Sequence, residues 1–296
     1  MINKVRYVVS GLLLVFVFCQ TASAEWGEWV LNTSLEGGFE DNINFAIDKN
    51  GRLSDIAISP SIVFGRYYQL GDYTRLRIVA DLKAKAYKRY DGLDSLSSGV
   101  DVAVTHKFGL GQEVPWLRVH SFAGYLAVNE SLRNSWLYNG GVAFGKRFSE
   151  RFDMLLSYDF IYRNGSNNKN VAEGFLGNPF DQVGHKGTLS LSYLLTERLL
   201  ASLSYSVYSG DITSTNEHND MLKLANFTKA LVWDETFKRH LWTYKLNALS
   251  NEFTIGLSYA LNGHTSVNVS YIRVDGYTSD LHYYDNLVLT SIKYTF

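Results

Sequence analysis

Arg75, Arg77, Asp81, Lys83 and Lys85 occupy alternate positions of one run, Arg75 to Ala86, and Leu76, Ile78, Ala80, Leu82, Ala84 and Ala86 fill the positions between. Successive side chains of an extended chain point to opposite faces, so the charged residues share one face with Val79 and the apolar residues share the other. Such a charged face can pair with acids on neighbouring strands, or it can face water and attract anions. The same parity in later runs adds Asp101, Lys107, Arg118, His120, Asp153, Asp159, Arg163 and Lys186 to it. The balance is basic, although the whole chain carries a formal charge of -1. A water-filled interior lined this way would favour anions, small acidic solutes or acidic oligosaccharides among them. Arg77, Asp81 and Lys83 are also spaced closely enough to pair off within the wall.

Catalytic chemistry is poorly supplied. Of the seven histidines, two have a serine close by in sequence. Ser121 beside His120 points to the opposite face of its strand. Ser266 follows His264 by two residues at an expected short turn, with no acid positioned beside them. A triad assembled from distant strands stays open, because triads are defined by geometry. No glycine-rich phosphate loop or paired-histidine motif occurs. Asp41, Asn42, Asp211, Asn219 and Asp220 put oxygens on surface loops, which is ordinary turn chemistry. The expectation is a non-enzyme with no cofactor, no metal and no catalytic residue, with a hydrolase kept as an alternative. The near-neutral charge gives no sign of a nucleic-acid partner.

The elements that would position these charges begin after a leader. Lys4 and Arg6 precede an apolar stretch from Tyr7 to Phe18, and Ala22-Ser23-Ala24 supplies the small residues a signal peptidase needs. Residues 1–24 are expected to be removed, leaving a single domain over 25–296. The only cysteine, Cys19, would leave with the leader, so the mature chain could use neither disulfides nor thiolates. Tyrosine is abundant at 20 residues and proline scarce at 3, which suits long uninterrupted strands.

Period-two patterning then marks about twelve runs. They lie near Trp29–Phe39, Ile56–Tyr68, Thr74–Tyr87, Ser97–Phe108, Trp116–Ala127, Ser135–Phe148 and Phe152–Arg163, then near His185–Leu195, Leu199–Tyr208, Glu252–Leu261, Ser266–Val274 and Tyr284–Phe296. Most are long enough to cross a bilayer at a tilt. Connections alternate. Gln69–Tyr73, Gly109–Pro115, Ser149–Arg151, Thr196–Arg198 and Asn262–Thr265 are short, whereas Glu40–Asp55, Lys88–Leu96, Asn164–Gly184, Ser209–Asn251 and Asp275–Tyr283 are long. Val128–Arg133 is the weak case, no longer than its neighbours. Short turns on one side and long loops on the other predict an all-β, antiparallel, up-and-down transmembrane barrel. Aromatics near the strand ends suit two interfacial girdles. The segment Ser209–Asn251 leaves three readings open. Met221–Val232 could form a helix at the mouth, Leu222–Trp233 with His240–Ala248 could add a hairpin and make fourteen strands, or the neighbouring strands could extend above the membrane. Pro60 predicts a bulge in the second strand.

The last run carries a resemblance. Val288, Thr290, Ile292, Tyr294 and Phe296 share a face, and Phe296 is the final residue. This resembles the terminal recognition signal of Gram-negative outer-membrane proteins, with Ile292, Tyr294 and Phe296 as its core. It implies the barrel-assembly machinery as a partner during biogenesis, with outer-membrane lipid and lipopolysaccharide as surroundings. Gly37-Gly38-Phe39-Glu40-Asp41-Asn42 and Ile58-Ser59-Pro60-Ser61 resemble the opening hairpin of poorly characterised β-barrel porin families. The function these features imply is a narrow porin-like channel. A non-conducting structural, adhesion or assembly barrel acting through its extracellular loops is the alternative.

Overall fold

The computed structural model describes residues 29–47, 49–166, 177–217, 228, 230–278 and 281–296. The leader expected over residues 1–24 lies outside them. Thirteen strands form one sheet: β1 Trp29–Glu40, β2 Asp55–Gly71, β3 Thr74–Tyr87, β4 Ser95–Lys107, β5 Trp116–Val128, β6 Ser135–Ser149, β7 Phe152–Gly165, β8 Gln182–Leu194, β9 Leu199–Asn216, β10 Leu231–Asp234, β11 Leu241–Ala260, β12 Thr265–Thr278 and β13 Leu281–Thr295. Neighbours from β1 to β9 pair antiparallel. β9 then pairs with β11, and β13 returns to β1, so that twelve strands close a ring and β10 stands outside it. The closing seam is continuous from Asn32↔Thr295 to Glu40↔Leu287. A closed ring leaves no unpaired edge, which the bilayer interior requires.

Directly opposed residues of antiparallel strands share a face. Tracing the register around the ring puts Arg77, Ala103, His120, Gly141, Asp159 and Lys186 on the inner side. The outer side carries large apolar residues that are more than half exposed, including Phe64 at 52%, Val119 at 56%, Leu156 at 53% and Ile255 at 52%. An apolar surface of this extent, continuous around the ring, is what lipid would cover. Aromatic rings pair across strands at both rims of that band. Trp29 stacks on Phe64 and Phe148 meets Phe152 at the short-turn end, while Tyr125–Trp136 and Tyr138–Tyr162 meet at the long-loop end.

The open readings of Ser209–Asn251 resolve as an extension of its two neighbours, and two other local expectations need correction. β9 runs on to Asn216 and β11 starts at Leu241, so the two neighbours extend well past the apolar band and stay paired as far as Trp242↔Asn216. The helix proposed over Met221–Val232 lies mostly outside the described residues, but its last two positions, Leu231 and Val232, belong to β10. That short strand pairs with β11 from Leu231↔Tyr244 to Asp234↔Leu241. No bulge occurs at Pro60. The β2–β3 ladder skips Ser59 and Pro60 but keeps its register, Ile58↔Ala86 on one side and Ser61↔Lys83 on the other. The ring nitrogen, which cannot donate, simply leaves a gap in the ladder.

Candidate functional site: the lumen and its two ends

Charges on the inner wall fall into three zones. At mid-height they are paired. Arg77 Nη1 lies 2.8 Å from Asp101 Oδ1, His120 Nε2 lies 3.0 Å from Asp159 Oδ1, and Lys186 Nζ lies 3.0 Å from Glu252 Oε2. Lys83 Nζ approaches Glu36 Oε1 more loosely, at 3.7 Å. His120 Nε2 also lies 3.1 Å from Asn139 Oδ1. Asp81 faces the same space, a recess of about 440 Å³ with Val63, Val79 and Phe122 in its wall. Room for it comes from Gly99 and Gly124, because Phe122 lies flat over them and a Cβ at either would meet its ring at 2.4 and 2.6 Å. These side chains are a fifth to nearly half exposed, so each pair contributes on the order of 0–1 kcal/mol to stability. Their effect is to fix the position of each charge.

At the short-turn end the cations have no acid beside them. Arg75 Nε donates to Gln69 Oε1 at 2.9 Å and Arg118 Nε to Thr105 Oγ1 at 3.3 Å. Lys107 and Lys293 complete this group by register, opposite Trp116 and Ser266. Among the described residues none of the four forms an ion pair with a carboxylate. Arg147 differs, since its guanidinium holds Asp153 at 2.8 Å and Gln112 at the same distance.

The long-loop end is filled by protein. The β1–β2 connection folds inward on Asn42, whose side chain donates to Ala46 O and Tyr284 O and accepts from Ala46 N, all within 3.0 Å. Asn44 ties the same loop to Gly51 O and Thr215 O. Asp55 accepts from the backbone of Arg89 and Tyr90, which draws the β3–β4 loop in. Apolar side chains from four connections and the strands β10 and β11 then pack together: Ile43, Leu53, Phe237 and Leu241 in one cluster, Leu231, Tyr244 and Leu246 in a second, Leu132, Phe180 and Val232 in a third. At the centre Arg133 Nη2 meets Asp234 Oδ2 at 2.6 Å, with Asp234 fully buried. Asp234 also accepts from Thr236 N and from the Thr243 hydroxyl. Burial pushes this carboxyl up, but the Arg133 guanidinium and these donors outweigh it and hold it below the ordinary carboxylate range.

No protein-family model matches the sequence, and no curated protein does. Solved structures do match. The crystal structure of an outer membrane channel from Pseudomonas putida F1 aligns with a TM-score of 0.59 at 10% identity, over 94% of this chain and 98% of that one. The fold is that of an outer-membrane β-barrel. Two further matches to this barrel are looser: a NanC porin at a TM-score of 0.49 and 12% identity, covering 88% and 98%, and a KdgM porin at 0.44 and 9%, covering 90% and 99%.

Within this barrel, register puts Arg75, Arg77, Asp81, Lys83, Lys85, Asp101, Lys107, Arg118, His120, Asp159, Arg163 and Lys186 on the inner face. They do not form one continuous basic lining. Arg163 is drawn into the mouth packing, donating to Ser135 Oγ and Arg133 O beneath Phe180, and Lys85 lies against the Tyr87 ring at 4.7 Å. Sequence reasoning missed the inward acids Glu36, Glu40, Asp55, Glu252 and Asp285, which offset much of the expected positive balance. Extending the parity count to β1 and β13 would have found most of them. Ile292, Tyr294 and Phe296 lie on the outer face, and Phe296 N donates to Leu31 O at 3.1 Å beside the seam. Ser121 lies outside and His120 inside, so these two cannot act together. Among the described residues no cluster of three or more metal-ligating side chains occurs.

Proposed function

We propose that the protein is an outer-membrane channel for small anionic solutes, with its ion preference set at the periplasmic end of the lumen. The observation that carries this reading is the group Arg75, Lys107, Arg118 and Lys293, inward-facing and without carboxylate partners among the described residues. Unpaired cations in a narrow aqueous passage raise the local anion concentration, whereas the paired charges above them cancel. Single-channel recording of refolded 25–296 in a planar bilayer under a salt gradient tests it. A reversal potential of anion sign is expected, in brief openings for the unaltered protein and in steady conductance once the mouth packing is loosened. A correctly folded barrel that passes cations preferentially would overturn the proposal.

The packed mouth favours a second reading, a closed barrel that acts through its extracellular loops. That barrel would show no conductance even when its mouth packing is loosened. Assembly is expected to follow the terminal strand in either case, with the barrel-assembly machinery as partner and the leader cut after Ala24. Deleting Phe296 should lower the yield of folded barrel in cells several-fold, read as the heat-modifiable band on a gel, and leave refolding in detergent intact. Equal yields in cells would remove the terminal strand from this role.

A further inference from the structure

The outer surface of the ring changes character beside the closing seam, towards the long-loop end. Outward positions of β12 run Val267, Val269 and Tyr271, then Arg273 and Asp275. Those of β13 run Ile292, Thr290 and Val288, then Asn286, Tyr284 and His282. In β1 the outward Phe39 is followed by Asp41. The switch falls on one row, because Arg273 is the cross-strand partner of Asn286, and Asn286 N donates to Asp41 Oδ1 at 2.8 Å. A bilayer accounts for it: acyl chains meet the apolar rows, and the headgroups of the outer leaflet meet the charged row above them. The corresponding rim of β6 and β7 carries Trp136, Tyr138 and Tyr162 instead.

Two guanidinium groups converge on this row. Arg52, from the β1–β2 connection, lies 3.4 Å from the Tyr284 ring centroid, and Arg273 lies 4.2 Å from the same centroid. His282, stacked on Tyr277 at 4.7 Å, borders them. Two acids share the patch, but their oxygens are engaged in holding it together. Arg273 Nε and Nη2 clamp Asp275 at 2.9 and 2.8 Å, and both oxygens of Asp41 accept from Asn286. Arg273 Nη1 donates to Asn286 Oδ1 at 3.1 Å, so the fork is fixed and one hydrogen on each Nη stays available. Arg52 is freer still. Among the described residues it forms no ion pair, and its Nε is buried without a hydrogen-bond partner. A charged group with open donors at the edge of an apolar medium favours an anion there.

We propose that Arg52 and Arg273 bind a phosphate of an outer-leaflet glycolipid, the lipid A part of lipopolysaccharide. A phosphate monoester has enough acceptor oxygens for both forks, and arginine suits it better than lysine does. The acyl chains of the same molecule would lie on Val288, Tyr271 and Ile255, which are outward and 40–52% exposed. A free phosphate would lack that second contact, which is why a lipid is favoured. The site lies outside the ring and is independent of whether the lumen conducts.

Refolded 25–296 in detergent, titrated with diphosphoryl lipid A in the presence of EDTA, tests this, with bound lipid counted by native mass spectrometry. One lipid A is expected to stay on the barrel. Arg52→Gln should weaken its retention several-fold, and Arg52→Gln combined with Arg273→Gln at least tenfold, in barrels that keep their heat-modifiable band. Lys146→Gln removes an outward cation near the short-turn end of β6 and should change nothing. Lipid A stripped of its phosphates should bind the unaltered protein no better than the double variant. Equal retention by the unaltered protein and the double variant would overturn the site. Inorganic pyrophosphate that displaces lipid A at equal concentration would overturn the lipid as its occupant. Binding that vanishes in EDTA and returns with magnesium would assign it to a metal bridge on Asp41 and Asp275, and would overturn direct contact with the two arginines.

Discussion

Arg133→Ala is expected to turn a mostly closed mouth into a mostly open one. Arg133 sits in the short turn between β5 and β6 and holds Asp234 of β10 at 2.6 Å, Thr236 Oγ1 at 2.8 Å and Thr215 Oγ1 at 3.2 Å. Its guanidinium lies against Phe180 and Phe237, each a little over 5 Å away. One side chain thus joins the β5–β6 turn, the β7–β8 loop, the top of β9 and the β10–β11 hairpin. Truncating it leaves the fully buried Asp234 carboxylate with neutral donors only. Removing one partner of a buried pair costs about 3–5 kcal/mol. At about 1.4 kcal/mol per decade, the packed arrangement loses two to three orders of magnitude in population. The ring of twelve strands does not use this pair, so the barrel should still fold and show its heat-modifiable band. Open probability in single-channel records should rise about a hundredfold or more. Arg133→Lys, which keeps the charge but loses the planar fork, should fall between the two. Recordings of Arg133→Ala indistinguishable from the unaltered protein would show that the mouth packing does not control conduction.

Acid should do the same to the unaltered protein, and the sign can be worked out. Asp234 lies outside the spanning ring, and its carboxyl titrates below the ordinary value of about 3.9. A depressed carboxyl stabilises the packed mouth fully above its unfolded value and loses that contribution as pH falls through its folded one. The mouth should therefore stay closed from neutral pH down to about 4 and loosen below that. Asp234→Asn should abolish this acid step, since the titrating group is gone. Persistence of the step in Asp234→Asn would assign it to another carboxyl, of which the mouth has several.

The parts legible from sequence were those set by periodicity. In β3 the alternation of charge and apolar residue is nearly strict, because one face meets water and the other meets an apolar medium. The short turns were legible for the same reason, each falling where alternation breaks briefly. The mouth was not legible. Ile43, Leu53, Leu231 and Phe237 are scattered over loops with no common period, and they meet only because the ring brings the loops together. The Glu40-Asp41-Asn42 step looked like a family mark, and its chemistry shows what it does here: Asp41 and Asn42 turn the chain inward by bonding to Asn286 and Tyr284 across the closing seam. The extension of β9 and β11 could be read only as one of three alternatives, because Ser214, Thr215 and Asn216 at the end of β9 are buried in succession, on both faces. A strand buried on both sides loses the polar alternation that would announce it.

Neutralising Arg75, Lys107, Arg118 and Lys293 to glutamine is expected to remove the anion preference, while neutralising Arg77 and Lys83 should not reproduce that result cleanly. The difference is pairing. Arg77 and Lys83 face Asp101 and Glu36, so removing either cation also frees a carboxylate and disturbs the wall around it. The lower four have no such partner among the described residues, and each acts on a passing ion through water. At about 7 Å in water one unit charge contributes about 0.6 kcal/mol, and screening at physiological salt over about 8 Å removes more than half of it. Four together come to about 1 kcal/mol, roughly a fivefold local enrichment of anions with a matching depletion of cations. Under a tenfold salt gradient the reversal potential should move from anion sign to near zero in the quadruple variant. Low ionic strength should enlarge the shift, as expected for a charge effect acting through solvent. A selectivity that survives this variant and instead follows Arg77 would move the filter up to mid-height, into the ring of paired charges between Asp81 and Asp159.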